Sequence, residues 1–340
     1  MKAAIFSGVK SLQVKDYNLK KLLPDELLIK VSACGVCGTD FHIYEGSAPA
    51  SAPVVIGHEY SGIVEDLGAE VSEFEIGDCV TINPNIHCGH CEFCKKGYIN
   101  LCKNLKALGV TIDGGFAEYS IVPQNQVYKI PHNFSLIDAA FAEPLSCCVH
   151  GINLADIKLG DTVTIIGAGT IGLIMLQLAK LKGASKVIAI DILENKLQLA
   201  DKLGADFSLN SLTETFDQDF KDLLPSGSDI VIECAGNSHA SKTALSSAIK
   251  GGRIVLFGLA SPAASIDLYL QEFFHKELTI KSSLLNPYTF KTAVDLLITK
   301  KVRVDMFNIK KYSLDNDDLN NLFTVKNSGS VIKNMIIPNK

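Results

Sequence analysis

Tryptophan is absent from this 340-residue chain, and arginine occurs only twice, at Arg253 and Arg303. With a net charge of -5, the chain lacks the basic face that nucleic-acid binding demands. No apolar run approaches the ~20 residues of a membrane span. The longest candidate, VTIIGAGTIGLIMLQLAKL, carries glycines whose spacing has another meaning. The opening MKAAIFSGVKSLQVKDY breaks like a strand and turn, without the charged and then apolar pattern of an export signal. Ten cysteines then imply a reducing compartment, read here as the cytoplasm, with metal sites in place of disulfides. Internal repeats, low-complexity segments and long charge runs are missing too. What remains, 47% hydrophobic and 20% charged, is an ordinary globular composition on a chain long enough for two domains.

The densest feature present is HCGHCEFCKKGYINLC, which places Cys88, Cys91, Cys94 and Cys102 in a C-x2-C-x2-C-x7-C pattern. Four thiolates so close in a loop can enclose one tetrahedral metal ion, and Zn²⁺ favours that arrangement. An all-sulfur site leaves no open coordination position. It holds shape, and the chemistry must lie elsewhere.

The first third alternates in short runs, LLIKVSAC, SGIVEDLG, CVTINP, AEYSIV and QVYKIP, which read as strands of an antiparallel domain. Near residue 160 the character changes. VTIIG, KVIAID, FSLN, DIVIECAG and GRIVLFG read as strands, alternating with helical stretches such as TIGLIMLQLAKLKG and ENKLQLADKLG. Such alternation signals a parallel, doubly wound sheet. LTIKSS looks like its closing strand, followed by a helix in NPYTFKTAVDLLITKK and a strand-like tail, VIKNMIIP.

Within that alternation lies a G-x-G-x-x-G turn: Gly167, Gly169, Thr170, Ile171 and Gly172 after a strand and opening a helix. The first glycine permits the turn, the second admits a pyrophosphate and the third lets helix and strand pack closely. The helix N-terminus offers N–H groups to the phosphates. Asp191 ends the next strand, 19 residues after Gly172, placed to bind both ribose hydroxyls of NAD and to repel a 2′-phosphate. Ile192 and Leu193 add no positive charge to offset it.

Cys37, His58, Glu59 and the distant Glu143 offer thiolate, imidazole and carboxylates, a donor set suited to Zn²⁺. Local spacing does not join them. By pattern alone Cys37 reads equally as a buried thiol, and Glu143 as a helix N-terminal carboxylate beside Pro144.

The stretch G57-H58-E59-x-x-G62-x5-G68-x-x-V71, the four-cysteine lobe, CGTD and the G-A-G-x-I-G turn occur here in the order seen in one family. The chain resembles the zinc-containing medium-chain alcohol and polyol dehydrogenases along essentially its whole length. The resemblance implies an α/β fold in which a GroES-like β domain (1–148 and 286–340, including a structural zinc lobe at 85–105) is interrupted by a Rossmann NAD-binding domain (149–285). It implies two zinc ions per chain. Cys37, His58 and Glu143 would hold the catalytic one, with Glu59 a direct or transient ligand. Thr39 and His42 would pass the proton of the alcohol towards solvent, and hydride would move to NAD.

Tyr44 and Phe116 match pocket-wall positions in sorbitol-dehydrogenase-like members, and Glu143 would also face substrate. The arginine of sorbitol dehydrogenases proper is missing from SSLLNPYTF, where Asn286 stands. The expected activity is NAD-dependent oxidation of a sugar alcohol to a ketose. Threonine dehydrogenase, butanediol-type diols and a non-catalytic NAD- and zinc-binding member are the rivals. The expected partners are a small alcohol and further copies of the chain, as a tetramer or dimer, with no nucleic acid or membrane.

Overall fold

The computed structural model describes residues 1–325 and 329–339. Residues 326–328 and 340, which fall within the expected C-terminal stretch 286–340, lie outside the described residues. The chain divides into two compact units, one of 1–146, 285–300 and 304–340, the other of 147–284 and 301–303.

The first unit is built on the strand Glu26–Gly35, whose alternation turns Leu27, Ile29, Val31 and Ala33 into the core. Full burial of the larger three, Leu27, Ile29 and Val31, contributes ~1.5–3 kcal/mol each relative to exposure. This strand pairs antiparallel with Glu59–Leu67, Tyr119–Pro123 and the tail strand Lys333–Ile337. The tail is thus held against the first unit by backbone pairing, Met335 opposite Gly35 and Ile336 opposite Cys34. Ile309–Ser313 lies parallel outside it. Cys79–Ile82 and Val127–Lys129 complete the other side. Gly57, with φ +94°, turns the chain just before Glu59, and a side chain there would strike the ring of Phe116.

The second unit is the expected doubly wound sheet. Its six strands are all parallel. In space they run Phe207–Asn210, Lys186–Asp191, Thr162–Ile166, Ser228–Glu233, Ala248–Leu256 and Thr279–Ser282. Numbered along the chain this is 3-2-1-4-5-6, the dinucleotide-binding order, which reverses direction beside the strand Thr162–Ile166. The helix Thr170–Leu181 buries Gly172 through Ala179 on all sides, which explains why its sequence is apolar nearly throughout. Gly183, φ +94°, follows its last turn. Among the described residues no helix is long and apolar enough to cross a membrane.

Candidate active site and metal centres

Cys37 caps the helix Gly38–Glu45. Its main-chain N–H donates to Asp40 Oδ2 at 2.8 Å, and its Sγ lies 3.6 Å from Thr39 Oγ1. His58 and Glu59 arrive from another part of the chain, at the turn into Glu59–Leu67. Register delivers them: Glu59 stands opposite Gly35, two residues before Cys37. The donor atoms of Cys37, His58 and Glu59 all fall within 4.8 Å of one another.

Two residues unremarked in the sequence complete this cluster. Asp40 is fully buried, and its Oδ1 lies 3.5 Å from His58 Nδ1. A carboxylate on Nδ1 leaves Nε2 as the ring atom available to a metal, an arrangement common behind metal-bound histidines. Burial opposes charge on His58, but Asp40 outweighs it and holds the imidazole pKa well above its usual value. Lys333, on the returning tail strand, forms a buried ion pair with Glu59 Oε2. Burial pulls the ammonium down, and the Glu59 carboxylate more than compensates, so its pKa stands raised. Gly35 makes the pair possible, since a Cβ there would overlap the Glu59 carboxylate and the Lys333 Cε.

The cluster suits a divalent cation. Two buried carboxylates, Asp40 and Glu59, stand here with Lys333, the His58 imidazole and the Cys37 sulfur. His58 Nδ1, Asp40 Oδ1 and Glu59 Oε2 are sealed from solvent and held by ion-pair contacts alone. Incompletely satisfied buried polar atoms are costly, and with Nδ1 turned to Asp40 the ring offers Nε2 to a metal. Glu143 is buried in the first turn of the helix Ala142–Ala155, outside this mutually close set. Its main-chain carbonyl accepts from Ser146 Oγ at 2.6 Å.

The other expected side chains are placed as follows. His42 Nδ1 contacts Ser47 Oγ at 2.9 Å, a hydroxyl the sequence did not single out. Tyr44 packs its ring 5.0 Å from Phe323 and borders a surface groove with Lys10 and Asn320. Phe116 is wholly enclosed in the core of the first unit against Gly57, so it presents no wall to a substrate there. Cys34, three residues before Cys37, is fully buried, and its thiol contacts the Gly35 carbonyl, so it packs and takes no part in the donor set.

The four-cysteine lobe assembles from local chain. The sulfurs of Cys91 and Cys94 stand 3.5 Å apart and those of Cys91 and Cys102 3.9 Å. A Zn–S length of ~2.3 Å in a tetrahedron sets sulfurs about 3.8 Å apart, so the donors fit zinc. Main-chain N–H groups of His90 and Cys91 lower the Cys88 thiol to about 5, and burial pushes Cys94 up to about 12. A metal ion resolves this sharing of protons by taking all four as thiolates.

In the second unit, Gly167 (φ +96°), Gly169, Thr170, Ile171 and Gly172 form the turn and open the helix Thr170–Leu181. A Cβ on Gly172 would overlap the carbonyl oxygen of Gly167. The Asp191 carboxylate is locked by main-chain N–H groups, Ala168 at 2.7 Å on Oδ2 and Ile192 and Leu193 at 2.8 and 3.0 Å on Oδ1. It borders a cavity of about 340 Å³ that Gly167, Gly169, Lys196, Asn237 and Thr243 also line. Lys196, beyond the two residues that follow Asp191, adds a cation 4.0 Å from Asp191 and paired with it.

Residues 23–132 match the alcohol dehydrogenase GroES-like domain, and residues 170–299 match the zinc-binding dehydrogenase domain. The chain is 31% identical to the sorbitol dehydrogenase of Bacillus subtilis over 348 aligned residues, covering 100% of this chain and 98% of that protein. It is 37% identical to an L-threonine 3-dehydrogenase of Pseudoalteromonas translucida over 76% of each. A solved structure of a zinc-binding dehydrogenase from Sinorhizobium meliloti, bound to NADP, superposes with a TM-score of 0.93 at 37% identity over 99% of both chains. Likeness of this length, on a chain with two donor sets suited to zinc, establishes that it belongs to the zinc-containing medium-chain alcohol and polyol dehydrogenase family.

Proposed function

We propose that this oxidoreductase uses NAD to oxidise a secondary hydroxyl of a sugar alcohol, giving a ketose. The observation that carries the reading is the convergence of the partly buried Cys37 with the buried His58 and Glu59 on one point, in a chain aligned from end to end with a sorbitol dehydrogenase. When bound, zinc supplies a Lewis acid beside the substrate hydroxyl, and nicotinamide supplies the hydride acceptor.

The chain's own residues do the rest. Cys37, His58 and a carboxylate, Glu59 or Glu143, hold the metal. Asp40 orients His58, and Lys333 balances Glu59. Thr39, beside Cys37, accepts the substrate proton, and His42 with Ser47 passes it on. Residues 1–148 and 286–340 carry this chemistry, and 149–285 carry the nucleotide.

The panel that tests the reading is NADH formation with sorbitol, xylitol and arabitol set against L-threonine and 2,3-butanediol. Polyols should give the highest kcat/KM. Threonine has a real claim through its 37% identical relative, but that match spans only 76% of the chain. A threonine kcat/KM above every polyol would replace our reading, and inactivity of zinc-loaded protein with all of them would sink the enzyme.

Asp191 supports NAD over NADP, because its locked carboxylate cannot swing from a 2′-phosphate. Asp191→Gly is expected to lower kcat/KM for NAD about tenfold while NADP use holds or rises. An unchanged ratio between the two nucleotides would refute the assignment.

The free edge of Thr279–Ser282, with exposed Tyr269, Leu270 and Phe274 in the same unit, supports association with a second copy. Sedimentation as a monomer would count against this. All ten cysteines are free of disulfides, which supports a cytoplasmic location that cell fractionation can check.

A further inference from the structure

The first unit contains a cavity of about 240 Å³ that shares no residue with the Cys37–His58–Glu59 cluster or the nucleotide turn. Six carboxamides line it: Asn83, Asn85, Asn100, Asn125, Gln126 and Asn286. Two of them, Asn286 and Gln126, are almost fully buried and brace the others. Asn286 Nδ2 donates to Asn83 Oδ1 at 3.1 Å and to Ser146 Oγ at 2.7 Å, and its Oδ1 accepts from Asn85 Nδ2 at 2.8 Å. With its amide assigned so that nitrogen rather than oxygen faces them, Gln126 donates to the main-chain carbonyls of Asn83 and Asn85, at 2.9 and 3.1 Å.

This bracing leaves one donor and one acceptor without a partner among the described residues, Asn83 Nδ2 and Asn85 Oδ1. Neither is among the sealed, unsatisfied atoms, so both remain accessible. They are fixed in place and need no reorganisation to bind.

The rest of the lining selects the ligand. The tilted ring pair of Tyr128 and Phe290, centroids 4.7 Å apart, and the exposed Tyr288 supply apolar faces. Among the described residues no carboxylate lines the cavity, which disfavours a metal or an amine. The lysine present, Lys291, is neutralised by Asp295 at 2.5 and 2.7 Å, which disfavours an anion. A carboxamide donates and accepts at once, as a hydroxyl does, so adjacent amides match vicinal hydroxyls. Ring faces match the C–H surface of a carbohydrate. The volume is just below the ~300–1,000 Å³ of drug-sized pockets and suits a single monosaccharide-sized molecule.

We propose that this amide-lined cavity is a second binding site for an uncharged polyhydroxylated molecule, a sugar alcohol or a monosaccharide, separate from the catalytic centre. The ligand class comes from the cavity's own chemistry and stands whether or not polyols are the substrate.

Saturation-transfer NMR on zinc-loaded protein, with xylitol and glucose as separate probes, tests it. Transfer should persist in Cys37→Ser protein, where the catalytic zinc site is broken, and inorganic phosphate should not compete. Adding Asn125→Leu or Tyr288→Ala, both at exposed positions, to Cys37→Ser should weaken binding about tenfold. The stronger probe identifies an open-chain or a ring ligand. Loss of transfer to both probes in Cys37→Ser, or binding there that neither added substitution weakens, would overturn the proposal. Failure of the polyol reading would show instead as absent NADH formation.

Discussion

Cys37→Ala protein should contain about one zinc per chain in place of two, with kcat/KM for its best alcohol lowered at least about a thousandfold. Cys37 is the sole thiolate in the buried cluster with His58 and Glu59. Without it, an imidazole and a carboxylate already paired with Lys333 remain in the cluster, and the metal's contribution to the transition state, several kcal/mol, is lost with the ion. The remaining zinc should be that of Cys88, Cys91, Cys94 and Cys102, whose sulfurs already stand at tetrahedral spacing. Metal analysis beside kinetics therefore separates a lost catalytic ion from a misfolded chain. Asp40→Asn should fall between, costing about 10- to 100-fold, because Asp40 acts through the His58 ring and the Cys37 amide. Full activity in the Cys37→Ala protein would refute a zinc centre at this cluster.

Gly172→Ala is expected to destroy NAD binding and lower stability together. The added methyl would overlap the carbonyl oxygen of Gly167, and the obstacle is backbone that no side-chain rotation can relieve. The helix Thr170–Leu181, buried from Gly172 to Ala179, would have to draw back from its strand, opening its core contacts. Overpacking of this kind costs about 1–3 kcal/mol and should lower Tm by several degrees. Displacing the turn should weaken NADH binding at least about 100-fold, read by NADH fluorescence, which the absence of tryptophan simplifies.

Gly169→Ala is the contrast. Nothing lies within 4 Å of a Cβ there, and the residue's φ of −77° is ordinary for any amino acid. Its Tm should hold while its NADH affinity falls, because the missing atoms leave room for pyrophosphate. Equal behaviour of the two variants would show that the third glycine plays no packing part.

Much of this molecule was legible in one dimension wherever partners are close along the chain. The alternation from residue 160 onward carried the parallel sheet, because each strand meets its helix within a few residues. Short helices such as Phe216–Leu223, Leu270–Lys276 and Asn316–Thr324 went unread, since each runs only seven to nine residues, about two turns, too short for a periodic pattern to stand out. Phe116 was expected at a pocket wall from likeness alone, and packing against Gly57 sealed it into the core. Asn286, noted only for not being arginine, proved to be a buried brace between Asn83, Asn85 and Ser146.

The sequence by itself determined the four-cysteine centre and the nucleotide turn, because a loop of fifteen residues or a strand–turn–helix unit leaves those groups few places to go. The catalytic cluster depended on the tertiary structure. Cys37 meets Glu59 through the register of two antiparallel strands, and Lys333 reaches Glu59 because the tail pairs beside Gly35. Nearly three hundred positions separate Lys333 from Cys37, and no local spacing records that distance. Only sheet register, with a glycine in which a side chain would not fit, brings those charges to one point.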